Sequence, residues 1–90
     1  MTAGVRLIQL SRLFGIPIKD DETARAAIAT HPGDFARALF HEAADSDDVT
    51  SVSSAMSYLE ERLLFFDDLI PDGVGESIRL AYRELIRAWE

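Results

Sequence analysis

The sequence contains no cysteine, and this absence excludes several kinds of site. Without a thiol, the chain can form neither a disulfide nor a thiolate zinc site, and it has no cysteine nucleophile. A small domain without cysteine is typical of a reducing compartment, so we expect a cytoplasmic protein.

Long apolar runs are also absent. The first residues, MTAGVRLIQLSRLFG, have apolar positions interrupted by Arg and Gln, so they lack the continuous apolar segment of a signal peptide. No run approaches the roughly 20 residues that a membrane-spanning helix requires. We therefore expect no contact with a membrane.

Basic residues are few, with nine Lys and Arg against sixteen Asp and Glu, which gives a net charge of −7. This excess of negative charge repels a phosphate backbone and argues against binding to nucleic acid. The same charge would attract a basic protein partner.

The spacing of apolar residues is helical nearly throughout, and it predicts an all-α fold. No stretch shows strand alternation, and no repeat or linker divides the chain. We expect residues 1–90 to form a single domain, a compact bundle of about five helices.

Turn and cap residues predict the ends of these helices. Gly15 is expected to end the first helix, and Asp20 or Asp21 to cap a short second helix. Asp34, after a proline–glycine break, is expected to cap the third, and residues 71–73 form a turn before the last.

The strongest helical pattern covers about residues 48–70, where two apolar rows run side by side. The first row consists of Val49, Val52, Met56, Leu59, Leu63, Phe66 and Ile70, and the second of Ala55, Tyr58, Phe65 and Leu69. Such a wide apolar arc predicts that this is the central helix of the bundle.

The stretch FHEAADSDD, residues 40–48, has some features of a metal site. A zincin motif needs a second histidine four positions after His41, but Asp45 stands there and no third ligand is evident. Calcium-binding loops beginning at Asp45 or Asp47 lack the required Gly and Glu. We predict a helix junction with no metal and no cofactor. The helix that follows would be capped by one of Ser46, Asp47 and Asp48.

One segment has a partial resemblance to acyl carrier proteins. The stretch SVSSAMSYLEERLLFFDDLIP, from Ser51 to Pro71, is similar to the helix and loop that follow their phosphopantetheine-bearing serine. The family's Asp-Ser-Leu motif is replaced here by Thr50-Ser51-Val52, and the similarity covers about a quarter of the chain. The resemblance implies a carrier function as an alternative.

A helix-turn-helix regulator is a second alternative, since QLSRLFGIPIKDDETARAAI, beginning at Gln9, has a helix–glycine–helix outline. However, the second helix would open with Asp20, Asp21 and Glu22, and a recognition helix places its first residues against bases and phosphates. Three acidic residues there would be repelled by DNA.

Arginines form a row on the last helix, at Arg79, Arg83 and Arg87. One interpretation is a surface for an acidic partner or a phosphate. We favour the other, a solvated helix face paired with Glu76, Glu84 and acidic residues of the neighbouring helix.

The strongest candidate site lies on the outer side of the fourth helix, and we call it the Leu64 surface. At about 100° per residue, four acidic side chains cluster around one leucine on this side. The surface consists of Glu60, Glu61, Leu64, Asp67 and Asp68. An apolar centre with a charged rim is typical of a small protein contact.

No nucleophile and base stand at a spacing that forces contact, so we predict no enzyme activity. We expect a non-enzymatic protein–protein interaction module that binds a basic partner through the Leu64 surface. An adaptor, an immunity-type inhibitor or a small subunit would fit. The sequence leaves self-association open.

Overall fold

The computed structural model describes residues 2–89, and this part of the chain contains α-helices and one 3-10 helix but no strand. The helices are α1 (Thr2–Phe14), α2 (Asp21–Thr30), α3 (Pro32–Asp45), α4 (Val52–Phe65) and α5 (Val74–Trp89), with the 3-10 helix at Asp67–Leu69. The prediction of an all-α bundle of about five helices is confirmed.

Helix α3 occupies the centre of the bundle. It contacts all four other α-helices and packs most extensively on α5, whereas α4 packs mainly on α3 and α5. Its buried residues include the alanines Ala36 and Ala43, whose small side chains let neighbouring helices approach closely. The central position predicted for residues 48–70 therefore belongs to α3, and the prediction is corrected on this point.

The segment expected to form one helix over residues 48–70 is divided between two elements. Helix α4 ends at Phe65, and Phe66 leaves the helical conformation before the 3-10 helix begins. Leu59, Phe66 and Leu69 are nevertheless fully buried. The turn at Phe66 allows Leu69 to reach the core from a different direction than a continuous helix would.

Two predicted helix ends are confirmed. The side chain of Asp20 accepts a hydrogen bond from the backbone N–H of Thr23 at 2.7 Å, which caps α2. Gly15 follows α1 with a φ of +70°, a left-handed conformation that glycine adopts without strain.

Two predicted caps are wrong. Helix α3 begins at Pro32 with His31 as its N-cap, so Asp34 lies within the first turn. Pro32 favours this earlier start because its fixed φ suits the first helical position. Helix α4 is capped by Ser51 rather than by residues 46–48, because Ser51 and Ser54 form a reciprocal capping box.

The core is built around large aromatic side chains. The ring of Phe35 stacks on Phe14 at 5.7 Å between centroids and meets Phe66 edge-on at 5.8 Å. Tyr82 of α5 is fully buried, and its hydroxyl donates a hydrogen bond of 2.7 Å to the carbonyl oxygen of Ala55 in α4. These contacts fix the outer faces of α4 and α5, where the candidate surfaces lie.

Candidate functional site

The Leu64 surface lies where α4 passes into the 3-10 helix. Glu60, Glu61 and Leu64 project from the last turns of α4, and Asp67 and Asp68 belong to the 3-10 helix. Leu64 is 76% exposed, more than any other large apolar side chain of residues 4–89. The structure therefore places an accessible leucine next to acidic residues from two elements.

Glu60 is held by an arginine of the neighbouring helix. Arg79 of α5 donates two hydrogen bonds to its carboxylate, from Nε at 2.9 Å and from Nη2 at 3.1 Å. These hydrogen bonds hold the pKa of the Glu60 carboxyl below its ordinary value. This acidic residue thus joins α4 to α5 and is partly neutralised.

Asp68 is paired in a similar way with α1. Both of its carboxylate oxygens accept hydrogen bonds from Arg6, which lowers the pKa of the Asp68 carboxyl. Its backbone carbonyl accepts a further hydrogen bond of 3.0 Å from Nε of Arg25 in α2. Asp68 therefore anchors the 3-10 helix to the first two helices.

The other two acidic residues have no such partners. The side chains of Glu61 and Asp67 are exposed and make no ion pair or hydrogen bond with other residues in the range 2–89. Next to them, a shallow depression of about 320 Å³ is lined by Glu60, Leu63, Leu64, Asp67 and Arg79. The available surface is a leucine with two free carboxylates, flanked by two ion pairs.

The stretch that resembles a metal motif lies at the end of α3. His41 and Asp45 are exposed, while Glu42 accepts a hydrogen bond of 2.8 Å from the hydroxyl of Tyr58 in α4. Within residues 2–89, no three His, Asp or Glu side chains are grouped so that they could hold a metal ion. Glu42 instead joins α3 to α4.

A polar cluster that the sequence did not suggest surrounds Arg62. Its guanidinium donates a hydrogen bond to the side-chain oxygen of Gln9 and lies 4.8 Å from the ring centroid of Phe65. The neighbouring Tyr58 has its pKa raised to about 12 by burial and by its hydrogen bond to Glu42. Because these contacts join α1, α3 and α4, the cluster has a structural role.

The arginine row on α5 is only partly paired. Arg79 contacts Glu76 as well as Glu60, and Arg87 contacts Glu84 at 3.3 Å. Arg83 makes no ion pair within residues 2–89. The expected pairing with Glu76, Glu84 and an acidic residue of α4 is present for two of the three arginines.

A groove between α4 and α5 was missed by the sequence analysis. It has an apolar floor and two arginines at its edge, and we call it the α4–α5 groove. Its lining residues are Val52, Met56, Arg83, Ile86 and Arg87. The apolar rows along α4 and α5 were visible in the sequence, but their spacing does not reveal where two packed helices leave a gap.

The two alternative functions depend on residues that already have structural roles. The hydroxyl of Ser51, where the resemblance to carrier proteins begins, accepts a hydrogen bond from Ser54 N–H in the capping box. Helix α2 begins with Asp21 and Glu22 immediately after its cap, Asp20. Ser51 thus serves as the N-cap of α4, and α2 has acidic rather than basic residues at its start.

None of the described helices has both the length and the apolar character needed to cross a bilayer. Comparisons of the chain with protein-family models, with curated proteins and with solved structures found no match. We therefore infer the function from the geometry of the Leu64 surface and the α4–α5 groove.

Proposed function

We propose that the protein is a non-enzymatic interaction module that binds a basic protein partner through the Leu64 surface. The observation that carries this proposal is the 76% exposure of Leu64 beside two acidic side chains without partners. Removing an exposed apolar side chain from water favours binding, and nearby charges determine which partners bind.

The ion pairs on both sides of Leu64 give the surface a defined shape. Glu60 is fixed to α5 by Arg79, and Asp68 is fixed to α1 by Arg6. Because these pairs hold the end of α4 in place, a partner would meet a preformed surface and lose less conformational entropy on binding. Glu61 and Asp67 would then supply the attraction for a basic side chain.

A defined probe can test this proposal. We would use a fluorescein-labelled, alanine-rich helical peptide with a leucine stripe flanked by lysines, and measure its fluorescence anisotropy. Leu64→Ala should weaken binding by about 1 kcal/mol or more, as the loss of an anchoring contact does. Leu80→Ala is the matched control, because Leu80 is an exposed leucine of α5 outside the Leu64 surface.

The contribution of charge needs its own variants. Glu61→Gln with Asp67→Asn should slow association of the lysine-flanked peptide. The difference in association rate from wild type should shrink as salt screens the charges. Asp45→Asn with Asp47→Asn removes equal charge at exposed aspartates outside the Leu64 surface. Binding that is unchanged in Leu64→Ala, or weakened equally by Leu80→Ala, would contradict the proposal.

A further inference from the structure

The α4–α5 groove has properties of its own that suggest a second binding surface. Val52 and Met56 of α4 are half-buried, and Ile86 of α5 is buried. Together they form the floor of a hollow of about 380 Å³. Methionine adapts its shape to different contacts, which suits a floor that must fit an incoming apolar side chain.

The edge of the groove carries two exposed arginines, although Arg83 lies close enough to Glu60 of α4 for its charge to help lower the pKa of that carboxyl. Arg83 has no ion pair within residues 2–89. Arg87 forms an ion pair only with Glu84, and the side chains of Arg87 and Glu84 are each more than 70% exposed. An exposed pair of this kind contributes little, so Arg87 can exchange its partner at small cost. In a chain with a net charge of −7, the groove therefore places two exposed guanidinium groups beside an apolar floor.

The spacing of the two arginines indicates the shape of the partner. Arg83 and Arg87 are four residues apart on α5, so their Cα atoms are separated by about 6 Å along the helix. Carboxylates spaced by three or four residues on a second helix match this separation. An apolar side chain between them would lie over the floor, as amphipathic helices do when they bind in grooves.

We propose that the α4–α5 groove binds an amphipathic helical segment of another protein, with aliphatic side chains flanked by Asp or Glu. Charge complementarity favours this occupant, because a basic segment would face Arg83 and Arg87 directly. The inference is independent of the proposed function, since the groove and the depression beside Leu64 share no lining residue.

The probe is a fluorescein-labelled, alanine-rich helical peptide with a leucine stripe flanked by glutamates. We expect saturable binding to the full chain in fluorescence anisotropy. Arg83→Glu with Arg87→Glu should weaken it by about tenfold or more, which corresponds to about 1.4 kcal/mol. Arg12→Glu with Arg37→Glu makes the same change in net charge at exposed arginines outside the groove, and should weaken binding much less.

The apolar contribution can be measured separately. Met56→Gln leaves both arginines in place but makes the floor polar, so it should also weaken the acidic peptide. A peptide of the same composition with its leucines dispersed should bind less tightly than the striped peptide. Circular dichroism melts of every variant show whether the fold is retained.

Several outcomes would overturn the proposal. The first is absence of saturable binding, and the second is an equal loss of affinity in the two double arginine variants. The third is self-association in sedimentation experiments that disappears in the Arg83→Glu, Arg87→Glu variant, which would make a second copy of the chain the occupant. Binding of decanoate to the groove without binding of the striped peptide would point to a small amphiphile instead.

Discussion

At the scale of single residues, the two tyrosines have unusual surroundings. Burial raises the pKa of Tyr82 to about 12, and burial with a hydrogen bond to Glu42 raises that of Tyr58 to about 12. Both hydroxyls donate hydrogen bonds, Tyr82 to Ala55 and Tyr58 to Glu42. The folded chain therefore holds both phenolic protons more tightly than the unfolded chain, in which tyrosine ionises near 10.

An alkaline titration followed by tyrosinate absorbance tests this arrangement. The two tyrosine hydroxyls should ionise near pH 12 in the folded protein and near pH 10 in the chain unfolded in urea. Since the unfolded state loses protons first, the stability that these groups contribute is full below pH 10 and is lost as the pH rises toward 12. A folded-state midpoint near pH 10 for either tyrosine would contradict the burial described.

Leu59 and Leu64 are five positions apart in α4 but have opposite surroundings. Leu59 is fully buried, whereas Leu64 is 76% exposed. Leu59→Ala should lower the free energy of unfolding by about 2–5 kcal/mol, because it leaves a cavity in the core. Leu64→Ala should change it by no more than about 0.5 kcal/mol, as surface substitutions do. Urea unfolding of the two variants gives both values.

At the scale of the elements, the start of α4 depends on a pair of serines. Ser51 accepts a hydrogen bond from the N–H of Ser54, and the Ser54 hydroxyl in turn accepts from the N–H of Ser51. The cap satisfies backbone donors that the first helical turn would otherwise leave without partners. It also fixes where Val52 and Met56 enter the α4–α5 groove.

Removing this cap should have a measurable cost. Ser51→Ala should destabilise the protein by about 0.5–2 kcal/mol, the usual range for an N-cap serine. Ser57→Ala is the control, because Ser57 is exposed within α4 and alanine favours the helix there. If both variants unfolded at the same urea concentration as wild type, Ser51 would not be the functional cap.

Helical periodicity predicted which leucines of α4 are buried and where α2 begins, but it did not predict the ion pairs between helices. The 100° spacing placed Leu59 inside and Leu64 outside, and an aspartate pair followed by a helical pattern identified Asp20 or Asp21 as the cap of α2, of which the structure has Asp20. It could not predict that Arg6 would pair with Asp68, because these residues are 62 positions apart. Such pairs depend on how helices pack, which local spacing does not determine.

Competition between neighbouring polar residues explains the wrong cap predicted for α4. Ser46, Asp47, Asp48 and Ser51 all have side chains that can cap a helix, and the residue types alone do not choose among them. Ser51 is selected because Ser54, three positions later, completes a reciprocal capping box.

At the scale of the whole molecule, two ion pairs connect distant parts of the chain. Arg6–Asp68 joins α1 to the 3-10 helix, and Glu60–Arg79 joins α4 to α5. The hydrogen bonds from each arginine lower the pKa of the paired carboxyl. Their stabilisation is present above the ordinary pKa values of about 4.5 and 3.8 and is lost as the pH falls through the lower folded values.

The acid sensitivity of the fold should therefore depend on these pairs. Glu60→Gln with Asp68→Asn should be less stable than wild type at neutral pH, and the difference should shrink as the pH falls below about 4.5. Glu61→Gln with Asp67→Asn removes equal charge without breaking an ion pair, and serves as the control. If the difference in stability between the Glu60→Gln, Asp68→Asn variant and wild type stayed constant down to the pH of acid unfolding, the ion pairs would not explain the acid sensitivity.

The extensive contact between α3 and α5 has a consequence for synthesis on the ribosome. Helix α5 is the last of the described helices to be made, and α3 packs on it more than on any other. Until residues 74–89 have left the exit tunnel, the growing chain exposes the α3 side chains that α5 later covers. The nascent chain therefore cannot complete its core as it emerges, and folding should follow the release of α5 from the tunnel. Arrest of translation just after residue 73 should leave a chain that proteases cleave readily, whereas arrest after a linker appended to Glu90, long enough to bring α5 out of the tunnel, should give a resistant domain.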